Sequence, residues 1–320
     1  MSRKRLQPIE NKKECELSVH RFKQQVDFTN VRTVTTGLYS KSSELAIASD
    51  WNRFVSFCHA NNVSPLPASV AAVRLFLEKE AANRKYSSIK RYSVSLGIIH
   101  KVHGYPDPCL NRQVRLSIKQ LEQTKKGDAR QANEFTEEHL SSLYAILDKE
   151  KTNLAYRDIA IYFVMFECAL KRSELKKLKI EDIEQTDLNS TISIQDNRYP
   201  LSEQASTVLK RWLKLLPETG VCFRRIDRHG NIGDSILDDS SIYRVLRRAS
   251  DRLGMPENLR FTAQSPRVGA ARELSRQGHK LKDIQIFGRW LSPAMPAQYL
   301  ELKDTSESEM SKFKTIRPWD

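Results

Sequence analysis

A mainly α-helical protein of two domains, with a small β-sheet or hairpin in the second, is what three features of the sequence predict. The 320 residues are 39% hydrophobic and 29% charged, enough apolar material to bury a core and enough chain for about two domains. Apolar residues recur at spacings of three and four through most of the chain, the period of a helix with one buried face. The stretch TKKGDARQAN, Thr124 to Asn133, carries no large apolar side chain and separates the periodic segments on either side.

Taken in order, residues 1–38 are polar and weakly patterned, which predicts a flexible arm. From Ser42 the pattern turns helical, with Leu45, Trp51, Phe54, Val55 and Cys58 on one face and a stop at Asn61-Asn62. A second helix starts near Pro67, an acceptable first-turn residue, and places Val70, Val73, Phe76 and Leu77 together. A third runs from Ser87 to the break at Gly104-Tyr105-Pro106, and a fourth spans Asn111 to Gln123. These define an N-terminal helical domain over 39–123, a linker over 124–135 and a second domain over 136–320. Thr136, followed by Glu137, Glu138 and His139, opens a helix with an acidic first turn that reaches about Lys149. Tyr156 to Leu170 is apolar enough for a buried central helix, with a short one over Lys171 to Leu178. Thr191 to Ile194 alternates like a strand, and Arg198 to Leu201 returns as its partner across Asp196-Asn197. Helical patterns fill the remainder apart from a loop at Asp227 to Asp234.

Composition excludes several classes. The longest apolar run is the eight residues Ile159 to Phe166, against roughly 20 for a membrane-spanning helix. The start Met1-Ser2-Arg3-Lys4-Arg5 is followed by polar residues and so reads as no secretory signal; a soluble, cytoplasmic and nucleoid-associated protein is expected. Five scattered cysteines fit neither a disulfide framework nor a zinc site and read as packing thiols. Only His100 and His103 lie within a turn of each other, a pair that reads as a polar helix face. Residues 1–130 carry 23 basic and 11 acidic side chains, net +12, whereas residues 131–320 carry 30 and 28, net +2. So basic an N-terminal half, within foldable segments, points to a polyanion, and nucleic acid is the commonest. The cations on its polar helix faces, Arg84, Lys85, Lys90, Arg91, Lys101, Arg112, Arg115 and Lys119, are the candidate DNA-binding residues.

The most specific stretch is Gln264-Ser-Pro-Arg267-Val-Gly-Ala-Ala-Arg-Glu-Leu, followed by Gly278, then Phe287-Gly288-Arg289-Trp290, then Tyr299 nine residues beyond the Trp. Together with Ala169-Leu-Lys171-Arg-Ser-Glu174-Leu, in that order and spacing, it resembles the tyrosine recombinase (phage integrase) family, and within it the Cre-like recombinases. The resemblance covers nearly the whole chain. It implies an N-terminal core-binding domain and a C-terminal catalytic domain forming a clamp around double-stranded DNA, and chemistry that needs no metal, nucleotide or other cofactor. In that family a tyrosine attacks a phosphodiester to give a 3'-phosphotyrosyl bond and a free 5'-hydroxyl. Such a step requires a nucleophile on a positionable helix, cations for the phosphoryl oxygens and an acid for the leaving oxygen.

Carried over position by position, Tyr299 falls where the family places its nucleophile; as plain pattern it is a core residue on a face with Met295 and Leu302. Arg267 matches the second family arginine, whose fork can hold two phosphate oxygens. Trp290 stands where the family carries His or Trp. Three positions depart from the family pattern. Lys171 replaces the first arginine, keeping charge but losing the fork, and Arg172 beside it points about 100° away on a helix. Gln264 replaces a histidine and cannot shuttle a proton near pH 7. The hairpin reads QDNRYP and lacks the lysine that protonates the leaving oxygen; Arg198 is its nearest cation and serves only electrostatically.

Near the C-terminus Met310, Phe313, Ile316 and Trp319 recur every three residues. The resemblance makes this stripe a helix that docks into a neighbouring subunit, giving a dimer on a site and a tetramer in synapsis; packing on its own domain is the other reading. Two functions remain: a site-specific recombinase or integrase acting through Tyr299, or a catalytically impaired recombinase-fold DNA-binding protein that serves as a regulator, accessory or architectural factor.

Overall fold

Trp51, Phe54, Val55 and Cys58 sit three and four residues apart and are all fully buried on one face of a 20-residue helix, and this face organises the first of two structural units. The computed structural model describes residues 6–128 and 131–312, and the chain divides into units 1–130 and 131–320. In chain order the first unit contains α1 (Lys12–Phe22), α2 (Phe28–Val34), α3 (Lys41–Ala60), α4 (Val70–Ala81), α5 (Tyr86–Val102) and α6 (Arg112–Thr124).

Residues 1–38 are expected to be an arm; of these the described residues, from 6 onward, instead supply two helices to this core. Asn11 caps α1 and Asp27 caps α2, while Phe22, Val26 and Val31 are buried. Trp51 Nε1 donates to Phe22 O at 2.9 Å, and Ser18 meets His103 at 2.8 Å. The partners lie 29 and 85 residues away, so nothing local reveals that this polar segment is ordered. The second expected helix begins at Val70 instead of Pro67, because Ser69 Oγ accepts from Ala72 N and caps it there. His100 and His103 are core residues, not a polar face: each Nδ1 is bonded to the carbonyl four residues earlier, and His100 Nε2 accepts from Ala68 N at 3.0 Å.

The second unit contains α7 (Glu137–Leu147), α8 (Asn153–Glu167), α9 (Arg172–Lys177), β1 (Ile183–Gln185), β2 (Ser190–Ile194), β3 (Asn197–Pro200), α10 (Glu203–Leu213), β4 (Arg224–Ile226), β5 (Ile232–Ile236), α11 (Asp239–Arg252), α12 (Ser265–Arg276), α13 (Leu281–Phe287), α14 (Ala294–Tyr299) and α15 (Lys303–Lys312). α8 is the central helix, apolar on every side from Ile159 to Phe166, and α7, α10 and α12 pack around it. Polar handles are satisfied in this core: Tyr162 Oη donates to Val245 O at 2.8 Å and Trp212 Nε1 to Cys222 O at 2.9 Å. The α7 start is a reciprocal cap in which His139 takes the place usually held by Glu.

β1, β2 and β3 form an antiparallel meander with Ile183 opposite Ile192 and Ser193 opposite Arg198. The β2–β3 turn is Gln195-Asp196, with Gln195 at φ +55°, so Asn197 belongs to the strand and not to the turn expected there. A second hairpin, β4 with β5, occupies the region expected to be a loop at 227–234; β5 is largely exposed and so leaves no alternating hydrophobic trace. The linker expected over 124–135 is also shorter. Thr124 ends α6, and at the other end Phe135 is fully buried against Tyr162 and Phe261 in the second unit. No helix among the described residues is long and apolar enough to cross a membrane. All five cysteines are free thiols, and burial pushes Cys58 up to about 12.

Candidate active site

α12 begins at a proline-containing first turn, and Gln264 stands at its cap position without making a capping bond, which frees its amide for other use. Five residues on, a Cβ at Gly269 would lie 1.8 Å from Phe135 O, so only glycine lets α12 seat against the incoming strand of chain. That seating buries Arg267, which is 2% exposed. Its Nη1 donates to Ala169 O, its Nη2 to Gly288 O at 2.8 Å, and its Cζ lies 4.3 Å from the Trp290 ring centre. Burial pulls Arg267 down to about 10, which leaves it charged at neutral pH.

Trp290 and Tyr299 meet edge to face with centroids 5.8 Å apart. The indole folds back over Gly288, where a Cβ would lie 1.8 Å from Trp290 Cζ3. Tyr299 closes the six-residue α14 and is 3% exposed; its hydroxyl accepts a short hydrogen bond from Gln264 Nε2. Its carbonyl is held by Arg272 Nε at 3.0 Å and Gln131 Nε2 at 3.3 Å. Tyr299 packs with Val268, Ala271 and Ile284. The expected core face with Met295 and Leu302 is not buried: both are substantially exposed, and α14 ends at Tyr299, with Glu301 at φ +62° standing between it and Leu302.

Lys171 precedes α9 and is half-exposed, its side chain 40% accessible, with Nζ 3.2 Å from Glu174 Oε1. It opens on a concavity of about 390 Å³ shared with Lys177, Ser193 and Gln195 at the hairpin tip. Arg172, the first residue of α9, pairs with Asp239 at 3.4 Å; Lys171 before it is extended, so the 100° helical step expected between the two does not apply. The structure thus brings Gln264, Arg267, Trp290 and Tyr299 into direct contact and joins Lys171 to them indirectly, through Glu174 and Arg289, which shares the Ala169 carbonyl with Arg267.

Arg198 is not brought there. It sits on the solvent face of β3, 65% exposed, and pairs with Glu184 of β1, because strand alternation puts its neighbour Tyr199 on the buried face. Two residues that motif reading left without a role occupy the interior instead. Arg289, with φ +55° and a side chain only 4% exposed, donates to Glu174 at 3.2 and 2.8 Å, to the Tyr199 hydroxyl, and to the carbonyls of Phe287, Cys168 and Ala169. Burial works most strongly against the ionised Glu174 carboxyl, but the hydrogen bonds from Arg289 and from the Lys171 backbone N–H, with the charges of both cations, together outweigh it and hold Glu174 below the usual carboxylate range. Both residues lie inside the quoted motifs, which was the available signal.

In the first unit all eight candidate DNA-binding cations are exposed. Arg91 is nonetheless committed to the buried Asp50 through two bonds of 3.0 and 2.8 Å. Arg112, Arg115 and Lys119 border an open concavity of about 540 Å³ on α6 together with the exposed Leu110 and Leu116. In the C-terminal stripe, Met310 is exposed on α15; Phe313, Ile316 and Trp319 lie outside the described residues.

Residues 133–306 match the phage integrase family. The chain is 25% identical over 275 residues to an integrase/recombinase XerD homologue of Selenomonas ruminantium, covering 80% of each protein. It is 22% identical over 300 residues to the Cre recombinase of Escherichia phage P1, covering 84% of this chain and 85% of that one. Among solved structures it shares the fold of the XerH site-specific recombinase in a pre-cleavage complex with its difH substrate, with a TM-score of 0.58 and 14% identity over 93% of this chain and 89% of that one. The Tn1549 transposon integrase in complex with circular intermediate DNA gives a TM-score of 0.60 at 12% identity, covering 89% and 94%.

Proposed function

The chain belongs to the phage integrase family of tyrosine recombinases, and from that premise we propose that it is a site-specific DNA recombinase or integrase working through a 3'-phosphotyrosyl intermediate. The observation that carries this reading is the convergence of Tyr299, Gln264, Arg267 and Trp290 through direct contacts, although they span 36 residues of sequence.

Tyr299 Oη gives up its proton to solvent as it attacks the scissile phosphorus, and the O–P bond it forms replaces the bond to the 5'-oxygen. Arg267 spends one donor of each terminal nitrogen on the carbonyls of Ala169 and Gly288, so Nε–H and the remaining N–H groups are left for phosphoryl oxygens. The arriving phosphate takes the Gln264 amide away from the tyrosine hydroxyl, and the Trp290 indole N–H adds a further donor. Lys171 is the second cation. With Arg198 facing solvent, the ammonium groups of Lys171 and Lys177, on the concavity beside the hairpin tip, are the groups able to pass a proton to the leaving 5'-oxygen. Attack by a second strand's 5'-hydroxyl reverses the chemistry. The exposed cations of the first unit supply phosphate contacts to duplex DNA, and the C-terminal segment links protomers into a dimer on a site and a tetramer in synapsis.

A second reading, a recombinase-fold regulator or accessory factor with little chemistry, is favoured by the outward-facing Arg198 and by Lys171 and Gln264 in place of the family's arginine and histidine. One experiment separates them. The protein and its Tyr299→Phe variant are incubated with nicked fragments of DNA from the protein's own locus, washed in detergent, and the retained DNA is sequenced. Attachment at one sequence, lost in Tyr299→Phe, is expected. Specific binding without any adduct would replace the first reading by the second.

A further inference from the structure

Glu174 lies next to the most exposed cation of the site, and by itself that is a liability. Its Oε1 is 3.2 Å from Lys171 Nζ and its Oε2 accepts from Lys171 N at 2.8 Å. A one-to-one ion pair would cancel the charge that Lys171 has to offer a phosphate. Arg289 changes this balance. Its guanidinium takes both oxygens of Glu174, through Nε at 3.2 Å and Nη2 at 2.8 Å, from a position almost sealed from solvent. Glu174 thus sits between two cations, and the trio of Lys171, Glu174 and Arg289 carries a net positive charge.

Arg289 cannot itself be a phosphate ligand. Every N–H it carries is already directed to Glu174, Tyr199 or the carbonyls of Phe287, Cys168 and Ala169. The Ala169 carbonyl is shared with Arg267, so Arg289 also steadies the acceptor on which that guanidinium hangs.

We propose that Arg289 is a positioning residue of this reaction: by offsetting and immobilising Glu174 it leaves the Lys171 ammonium available to the phosphoryl oxygens, which lets a lysine serve where the fork of an arginine is absent. The proposal rests on the recombinase reading for the identity of the phosphate and is testable apart from it.

Three variants of the full chain decide the matter: Arg289→Met, which removes the charge and keeps the bulk; Arg289→Lys, which keeps the charge; and Glu174→Gln with Arg289→Met, which removes both charges. Each is measured for the rate of covalent attachment at saturating DNA, duplex Kd, affinity for inorganic phosphate by phosphorus NMR, and thermal midpoint. Arg289→Met is expected to slow attachment by about tenfold or more and to weaken phosphate binding while duplex Kd holds. Arg289→Lys should retain most of the rate, and the double variant should recover it. Equal slowing in the single and double variants, or a loss that follows the thermal midpoint, would reduce Arg289 to scaffolding and overturn the proposal. If Arg289→Met does not fold, Arg289→Lys decides: a retained rate supports the charge role, a lost one refutes it. If the unmodified protein attaches to no DNA, the recombinase reading fails separately. Phosphate affinity then decides: loss in Arg289→Met with recovery in the double variant supports the proposal, and equal affinity in all variants overturns it.

Discussion

The two units differ in how far positive charge is paired, although the first also sets Arg53 and Arg84 on one carboxylate, Glu80. In the first, Lys85, Lys90, Lys101, Arg112, Arg115 and Lys119 are exposed and form no ion pair with a described residue. In the second, cations are set around shared carboxylates: Arg157 and Arg248 on Asp158, Arg272 and Arg276 on Glu134, Lys171 and Arg289 on Glu174. At Asp158 and Glu174 this fixes two cations and leaves one positive charge over, whereas Arg272 and Arg276 also meet Glu301 and Glu273. The first unit thus carries exposed charge free of ion pairs on its candidate DNA-binding helices, and the second holds charge in place around carboxylates.

The most damaging way to break the contrast is Asp158→Ala. Asp158 is 2% exposed and its removal strands the buried Arg157, which should cost the second unit about 3–5 kcal/mol. Urea unfolding followed by the hydrogen exchange of α8 would show it, with α3 and α5 of the first unit unchanged. A loss below about 1 kcal/mol would mean that the carboxylate is not what fixes the pair.

Replacing Arg112, Arg115 and Lys119 together by alanine tests the other side. Stability should hold, while duplex affinity falls uniformly across sequences and the slope of log K against log salt shrinks by about 3. An unchanged salt slope would remove α6 from the DNA surface. A smaller effect is expected at the boundary between the two styles. Lys171→Arg restores the fork and should raise the attachment rate several-fold, on the order of 3- to 10-fold. No change, in single-turnover assays, would count against Lys171 as a phosphate contact.

The smallest effect concerns pH. Burial, opposed by the hydrogen bonds to Leu96 and Ile99, holds His100 and His103 below the ordinary histidine value. The folded unit therefore binds fewer protons than the unfolded chain below about pH 6.5, and stability is complete above that value and declines as pH falls toward the folded-state values. Exchange of the α5 amides at pH 5.5 and 7.5, corrected for intrinsic rates, should show the first unit loosening in acid; equal protection at both would contradict it.

Helices with strong apolar faces, such as α3, α5 and α8, were legible in the sequence because burial on one side imposes its own period. α1 was not, since one end of it is secured by Phe22 and the rest by polar bonds to residues far along the chain. In the candidate site, Arg267, Gln264, Trp290 and Tyr299 were named through the family resemblance that their order and spacing carry, and the structure places them in contact. Arg198 was misplaced, although the alternation of β3 held the correction: if Tyr199 faces inward, its neighbour cannot. The part played by Arg289 was invisible, because its partners Glu174 and Tyr199 lie 115 and 90 residues away.

Gly269 and Gly288 leave a mark on the site of another kind. Every missense change in a glycine codon adds a Cβ, and at these two positions that carbon meets a backbone oxygen or an indole ring at 1.8 Å. The mutational target of the site therefore extends to two positions that carry no chemistry. In a saturation library, both should tolerate fewer alleles than the charged residues whose arrangement they permit.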